Sequence, residues 1–331
     1  MSWRRGWCAL FGVIAFAVAS GWAAELDPGG LDIVKLRPNF YMIAGAGSNI
    51  GVQIGSDGVV LVDAGAADKS PQVLAALKKL TDLPIRYIID TGAEPDHVGG
   101  NGNLAKAGQT IFVNAIGNAG FSNAMTNGGA ASVLAHDSVL RRMSAPTGKP
   151  ALFPTEAIPT EAFFQDRKTL RMNHEGIEVL YQPAAHSDAD SFVFFHASDV
   201  VAAGDVLDLT RFPIIDLAKG GSIQGEIEAL NRLIALAIPS VPFVYQDSGT
   251  YIIPGHGRAC EQQDVVDYRD MVVIVRDVIA DWMKQGMSLE QIKAARPAKP
   301  FETQYGSKTG PWTTDMFVEA VYKSLMQKEA R

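Results

Sequence analysis

The sequence holds six histidines, at positions 97, 136, 174, 186, 196 and 256. Three fall where a strongly apolar stretch gives way to Gly, Pro or Asp. Residues 85–90 run into Thr91-Gly92-Ala93-Glu94-Pro95-Asp96-His97, and residues 177–182 into Pro183-Ala184-Ala185-His186-Ser187-Asp188. Residues 251–254 run into Gly255-His256-Gly257, and the apolar run 200–203 is followed by Gly204-Asp205, which supplies a carboxylate in the same setting. Imidazole and carboxylate on the ends of rigid strands form a donor set for a divalent ion. If one position stays open, such an ion brings the ionisation of a bound water near neutral pH. The residue types also allow a plainer reading, in which each imidazole is a loop side chain bonded to nearby backbone. On either reading Asp188 and Asp190 are turn formers or supports behind a ligand.

The remaining polar residues point to less. Ser187 has no base and acid placed to make it a nucleophile. The Gly-rich stretch 117–129 lacks the Gly-Lys-Ser/Thr of a phosphate loop. Cys260 reads as packing, His136 as structural, and His174 and His196 as surface or strand positions.

These loops need strands and helices to aim them. Residues 33–53 alternate loosely, and the run 58–62 leads into Asp63-Ala64-Gly65, a buried strand entering a turn. Ser70-Pro71 opens a helix with Val73, Leu74, Leu77 and Leu80 on one face. Short strands are expected at 85–90, 110–113, 177–182, 191–196 and 200–203, and helices at 104–107 and 133–143. Ser222 caps a further helix carrying Ile223, Ile227, Leu230 and Ile234. Helices close the chain at 264–285, from Ser288 with Gln291 completing a capping box, and over 315–328. Polar clusters follow strands throughout, which places the chemistry at one end of a sheet assembly.

Composition narrows the classes. Of 331 residues, 47% are hydrophobic and 20% charged, enough apolar material for a large core. Net charge is −7 and the pI near 5.4, so there is no basic footprint for nucleic acid. Two cysteines exclude a disulfide scaffold. Residues 1–23 read as a cleavable signal peptide: Arg4 and Arg5, an apolar stretch 9–19, then Gly21-Trp22-Ala23. An uncleaved membrane anchor is the alternative, since 7–24 carries no charge. The expected location is therefore periplasmic or secreted, with no stable span once the signal is removed. Residues 114–165, rich in Asn, Gly and Pro, form a long excursion able to border a site.

Taken together, the acidic loop 91–100, His186, Gly204-Asp205 and Pro254-Gly255-His256-Gly257, in that order, resemble the metallo-β-lactamase superfamily over residues 33–285. Asp63 in Val-Asp-Ala-Gly matches that family's early supporting Asp. The family's His-x-His-x-Asp-His signature is altered: Gly92 stands where the first His belongs and Glu94 where the second belongs. The resemblance implies an α/β, four-layer αβ/βα sandwich of two mixed sheets with outer helices. It places this domain at 24–285, with an inserted segment 114–165 and a C-terminal helical extension 286–331. It implies metal ligation by Asp96, His97 and His256 with Asp205 bridging, and a weaker second position at Glu94, His186 and Asp205. Zinc is the expected metal, one ion being favoured over two, with manganese or iron as alternatives. The implied activity is that of an exported hydrolase in which a metal-bound hydroxide attacks an ester, lactone, amide or similar bond of a small molecule. Asp96 and Asp205 are then the catalytic carboxylates. The altered signature leaves two rivals: a non-catalytic periplasmic binding or scaffold protein, and an iron-dependent redox member of the fold.

Overall fold

The computed structural model describes residues 25–26, 30–110, 129–144, 151–241 and 248–329. The expected signal peptide, strand positions 111–113, and positions 114–128 and 145–150 of the excursion lie outside the described residues.

Eight strands make the first sheet in sequence order. They are β1 (Glu25–Leu26), β2 (Asp32–Arg37), β3 (Phe40–Ala46), β4 (Ser48–Gly55), β5 (Gly58–Val62), β6 (Ile85–Ile89), β7 (Ser132–His136) and β8 (Glu161–Phe163). Pairing is antiparallel from β1 to β5 and parallel from β5 to β8. The second sheet follows with β9 (Arg167–Met172), β10 (Glu175–Gln182), β11 (Asp190–Phe195), β12 (Val200–Asp208) and β13 (Tyr251–His256). Only its β12–β13 pair is parallel.

Both sheets are covered on both faces, which is why β5 is apolar at every position rather than alternating. Val60 and Val62 face the second sheet, in a shared core with Phe40, Ile89, Val179, Phe195 and Ile253. Val59 and Leu61 face the opposite way, into a core with Val73 and Leu77 of helix Ser70–Leu80 and Leu104 of helix Asn101–Ala107. The outer face of the second sheet packs on helices Ile223–Leu236, Gln262–Lys284, Leu289–Ala295 and Thr314–Glu329. Phe40 and Phe195 meet edge to face across the sheets, centroids 4.8 Å apart. Burying each such side chain contributes about 1.5–3 kcal/mol. The result is the four-layer sandwich expected. Among the described residues no helix is long and apolar enough to cross a membrane.

Residues 133–143 depart from the expected helix. Val133, Leu134 and Ala135 are buried in β7 between β6 and β8, and only Asp137–Met143 is helical. A short apolar run buried on both faces looks the same in sequence whether helix or strand, and here the free edge of β6 decides it. His136 ends the strand and caps the helix, its ring accepting from the Ser138 backbone N–H. Thus the excursion returns two strands to the first sheet.

Candidate metal centre

The parallel strands of both sheets end at one edge, where α/β sheets gather their polar loops. β5 is followed at once by Asp63, whose backbone lies in the left-handed region at φ 63°. A non-glycine residue held there is strained, and the side chain it presents shows to what effect. One carboxylate oxygen of Asp63 accepts the Thr91 backbone N–H at 2.8 Å. The other accepts the Thr91 hydroxyl at 2.7 Å and lies 2.8 Å from His97 Nδ1. With Nδ1 committed to a carboxylate, His97 turns Nε2 toward the centre.

After β6, Thr91 to Glu94 form an extended turn and Pro95–Val98 a single helical turn. His97 is therefore the buried base of a helical turn rather than a loop residue, with Asp96 beside it and 40% exposed. Glu94 Oε2 accepts the Ala93 backbone N–H at 2.9 Å. A Cβ at Gly92 would stand 2.7 Å from that same oxygen. A bare position 92 thus leaves the room that the Glu94 carboxylate occupies.

His186 lies in the turn after β10. Its Nδ1 bonds the Ile214 carbonyl at 2.8 Å, so Nε2 faces inward here too. Asp205 was expected in a loop, but it lies within β12, where pairing to β13 shifts register around Gly204. Gly204 has φ 55°, and a Cβ there would sit 2.6 Å from Thr91 Oγ1. Glycine thus lets the sheets approach and, at the register shift, turns Asp205 toward the centre from within β12. His256 is the last residue of β13 rather than a loop residue. Asn49 on β4 steadies it by donating to the carbonyls of Pro254 and Gly257, each at 2.9 Å.

All six predicted residues converge, as two triads: Asp96, His97 and His256, and Glu94, His186 and Asp205, each with donor atoms within 4.8 Å of one another. Asp205 joins them. Its Oδ1 is 3.1 Å from His97 Nε2 and 3.6 Å from His256 Nε2, and its Oδ2 is 4.0 Å from His186 Nε2. His256 Nε2 also meets Asp96 Oδ2 at 3.2 Å. Burial opposes charge on His97, but Asp205 and Asp63 outweigh it and hold the imidazole pKa well above its usual value. Burial likewise opposes charge on His186, yet Glu94 and nearby acids raise it to about 10. Burial raises the Glu94 carboxyl, and His186 more than offsets this, leaving it below its ordinary value. Protons thus occupy a site whose carboxylates attract cations, and a divalent ion would compete with them.

Among the described residues, the buried atoms without a hydrogen-bond partner include Glu94 Oε1 and His186 Nε2, which face each other at 3.5 Å. Orphaned donor atoms directed at one point beside a shared carboxylate are what a cation between them would satisfy. The donor set fits a divalent ion, with more oxygen than an all-imidazole site. Of the other acids, Asp190 accepts the Ser187 backbone N–H at 2.7 Å, and burial pushes its carboxyl up to about 7. Asp90 is bound by Asn101, and Asp188 by Arg142. Cys260 is buried and free, and His196 is exposed against Glu178.

The spacing did not reveal Lys219, whose ammonium lies 3.6 Å from Glu94 Oε1, or Glu226, fully buried in helix Ile223–Leu236 with neither carboxylate oxygen partnered. Lys219-Gly220-Gly221, a turn just before a helix cap, carried only a loop signal.

The metallo-beta-lactamase superfamily profile matches residues 44–241, and the chain belongs to that superfamily. It is 22% identical over 263 residues to a linear primary-alkylsulfatase of a Pseudomonas species, covering 71% of this chain and 47% of the relative. Among solved structures it resembles the stereoselective inverting sec-alkylsulfatase of Pseudomonas sp., with TM-score 0.61 and 13% identity. That match covers 88% of this chain and 49% of the other. A metallo-beta-lactamase from Pontibacter korlensis aligns with TM-score 0.50 and 16% identity, over 73% of this chain and 98% of its own. The chain thus spans about half the length of the alkylsulfatases it matches. At these identities the structural likeness speaks for the fold.

Proposed function

We propose that the protein is a metal-dependent hydrolase. Asp96, His97 and His256, with Asp205 shared, would hold one divalent ion, and Glu94, His186 and Asp205 would offer a weaker second position. The observation that carries this reading is the pair of buried, unpartnered donor atoms on Glu94 and His186, turned toward Asp205. Zinc is the metal we favour. When bound, such an ion supplies a Lewis acid and lowers the pKa of water at the site.

The protein's own groups do the rest. Asp63 and the Ile214 carbonyl fix the tautomers of His97 and His186, so that both present a lone pair at Nε2. Asp96, the most exposed member, is the acid an entering water meets first; it orients that water and takes its proton. Asp205, charged and held below its usual pKa by His97 against the effect of burial, fixes the spacing of the two positions. The substrate is a small molecule with an ester, lactone or amide bond, and the names of the relatives add sulfate monoesters. Arg4, Arg5 and the apolar stretch after them support export to the periplasm or beyond.

Elemental analysis of the protein purified without chelator, with a hydrolase screen of wild type and His256→Ala, tests this. About one equivalent of zinc is expected, with His256→Ala losing metal affinity and activity by tenfold to about a hundredfold or more. Wild type that stays metal-free after dialysis against zinc, manganese and iron overturns it. So does a His256→Ala protein that keeps full metal and activity.

A further inference from the structure

Among the described residues, Glu94 is the candidate ligand that pairs with a lysine or arginine: Lys219 Nζ stands 3.6 Å from its Oε1. That same oxygen has no hydrogen-bond partner and faces His186 Nε2 at 3.5 Å. An ammonium therefore borders the position on which Glu94, His186 and Asp205 converge. Asp96, His97 and His256 have no such neighbour among the described residues; their printed ion pairs run to one another, to Asp63 and to Asp205.

The backbone holds Lys219 in this place. Its turn is fastened to the loop that carries His186: the Asp216 N–H donates to the His186 carbonyl, and the Asp188 N–H to the Lys219 carbonyl, each at 2.9 Å. Arg142 donates to that same Lys219 carbonyl and, through Nε, to Asp188 at 2.6 Å. Gly220 turns the chain at φ 82°. Gly221 then passes so close that a Cβ would stand 2.1 Å from the His186 carbonyl oxygen. The ammonium and the His186 imidazole are thus carried on one fixed piece of chain. The Lys219 side chain is 45% exposed, and Asp216 Oδ2 at 3.1 Å gives it a second partner away from Glu94.

Charge decides what such an ammonium does. Glu94, Asp96 and Asp205 are the three carboxylates among the candidate ligands. One divalent ion and the ammonium balance them. Two divalent ions and the ammonium exceed them, in a mostly buried place where like charges repel strongly. A tethered cation also competes at high local concentration with an ion arriving from solution. Resting on the metal centre proposed above, we infer that Lys219 is a built-in substitute for a second metal ion. It weakens the position at Glu94, His186 and Asp205 and keeps the centre mononuclear. A second ion enters as the ammonium passes from Glu94 to Asp216. Lys219 is a positioning residue that acts through Glu94.

Zinc titration of the full chain against a chelator of known affinity, with bound metal counted by plasma mass spectrometry, tests this without turnover. At a free zinc level where wild type holds about one equivalent, Lys219→Gln should hold about two, its second position tightened about tenfold or more. Lys219→Arg keeps the charge and should stay with wild type. Loss of a merely structural side chain would lower the metal content, not raise it. Adding His186→Ala to Lys219→Gln should remove the gained ion. Loaded with manganese, Lys219→Gln should give the spin-coupled electron paramagnetic resonance signal of two neighbouring ions, and wild type that of isolated ones. A Lys219→Gln protein that holds no more metal than wild type overturns the inference and leaves the metal centre standing, as does a gained ion that survives His186→Ala. Wild type that takes up no metal overturns both. The expected gain in a protein that hydrolyses nothing upholds the inference and overturns the hydrolase reading.

Discussion

Asp63 lies behind the centre: two of its contacts hold Thr91, and the third aims His97, the most buried of the candidate ligands. A carboxylate in a strained backbone conformation and spending both oxygens on Thr91 and His97 has a positioning role. Asp63→Asn keeps the shape, but an amide NH2 turned to His97 Nδ1 donates where the carboxylate accepts, and so favours the tautomer with its proton on the inward Nε2. Zinc affinity by competition with a chromogenic chelator should fall by about 10- to 100-fold, the usual effect of removing such a support, with little change in far-ultraviolet circular dichroism. Unchanged affinity would mean that His97 is held by Asp205 alone. Gly92 and Glu94 show a different economy at the same scale: the bare position 92 leaves open the space in which the Glu94 carboxylate lies.

At the scale of elements, the centre depends on a strand that bends at the right residue. Gly204 carries the left-handed backbone and the close pass over Thr91 that put Asp205 at the meeting of the two triads. Gly204→Ala should cost about 1–3 kcal/mol in urea unfolding, and it should lower metal retention by moving Asp205. A variant as stable as wild type, with full metal, would show that the bend is set by other residues. Much of this was legible in the sequence. The histidines at strand ends, the acidic loop and the Ser222 and Ser288 caps announce themselves through spacing and residue type. Asp205 inside a strand does not, because Gly-Asp after an apolar run reads as a turn, and only pairing with β13 keeps it in the sheet. Nor does β7, whose run is apolar on every side. Lys219 could not be read at all. Its partner Glu94 is more than a hundred residues away and is brought near by the packing of the two sheets.

For the whole molecule, buried acids set the response to pH. Glu226 has no exposure and no hydrogen-bond partner, and burial, reinforced by Asp190, raises its carboxyl well above the ordinary value. In the folded state it is held neutral. Its contribution to stability is therefore fully present below the unfolded carboxyl pKa, about 4.3, and is lost as pH rises through the folded value. Glu226→Gln, neutral at every pH, should gain on wild type in thermal melts as pH goes from 4.5 to 8. A constant gap between the two melting curves would show that Glu226 is charged or solvated.

The two sheets are also built one after the other along the chain, the first complete by Phe163 and the second beginning at Arg167. Each strand of the first sheet pairs with the one made just before it, so a chain leaving the ribosome has all of its strands before the second sheet begins. At that moment it owns Glu94, Asp96 and His97, half of the six candidate ligands. His186, Asp205 and finally His256 arrive with the second sheet. On the proposed reading, a cation would meet its full set of donors only once both sheets have docked, and a misassembled chain would lack half of them.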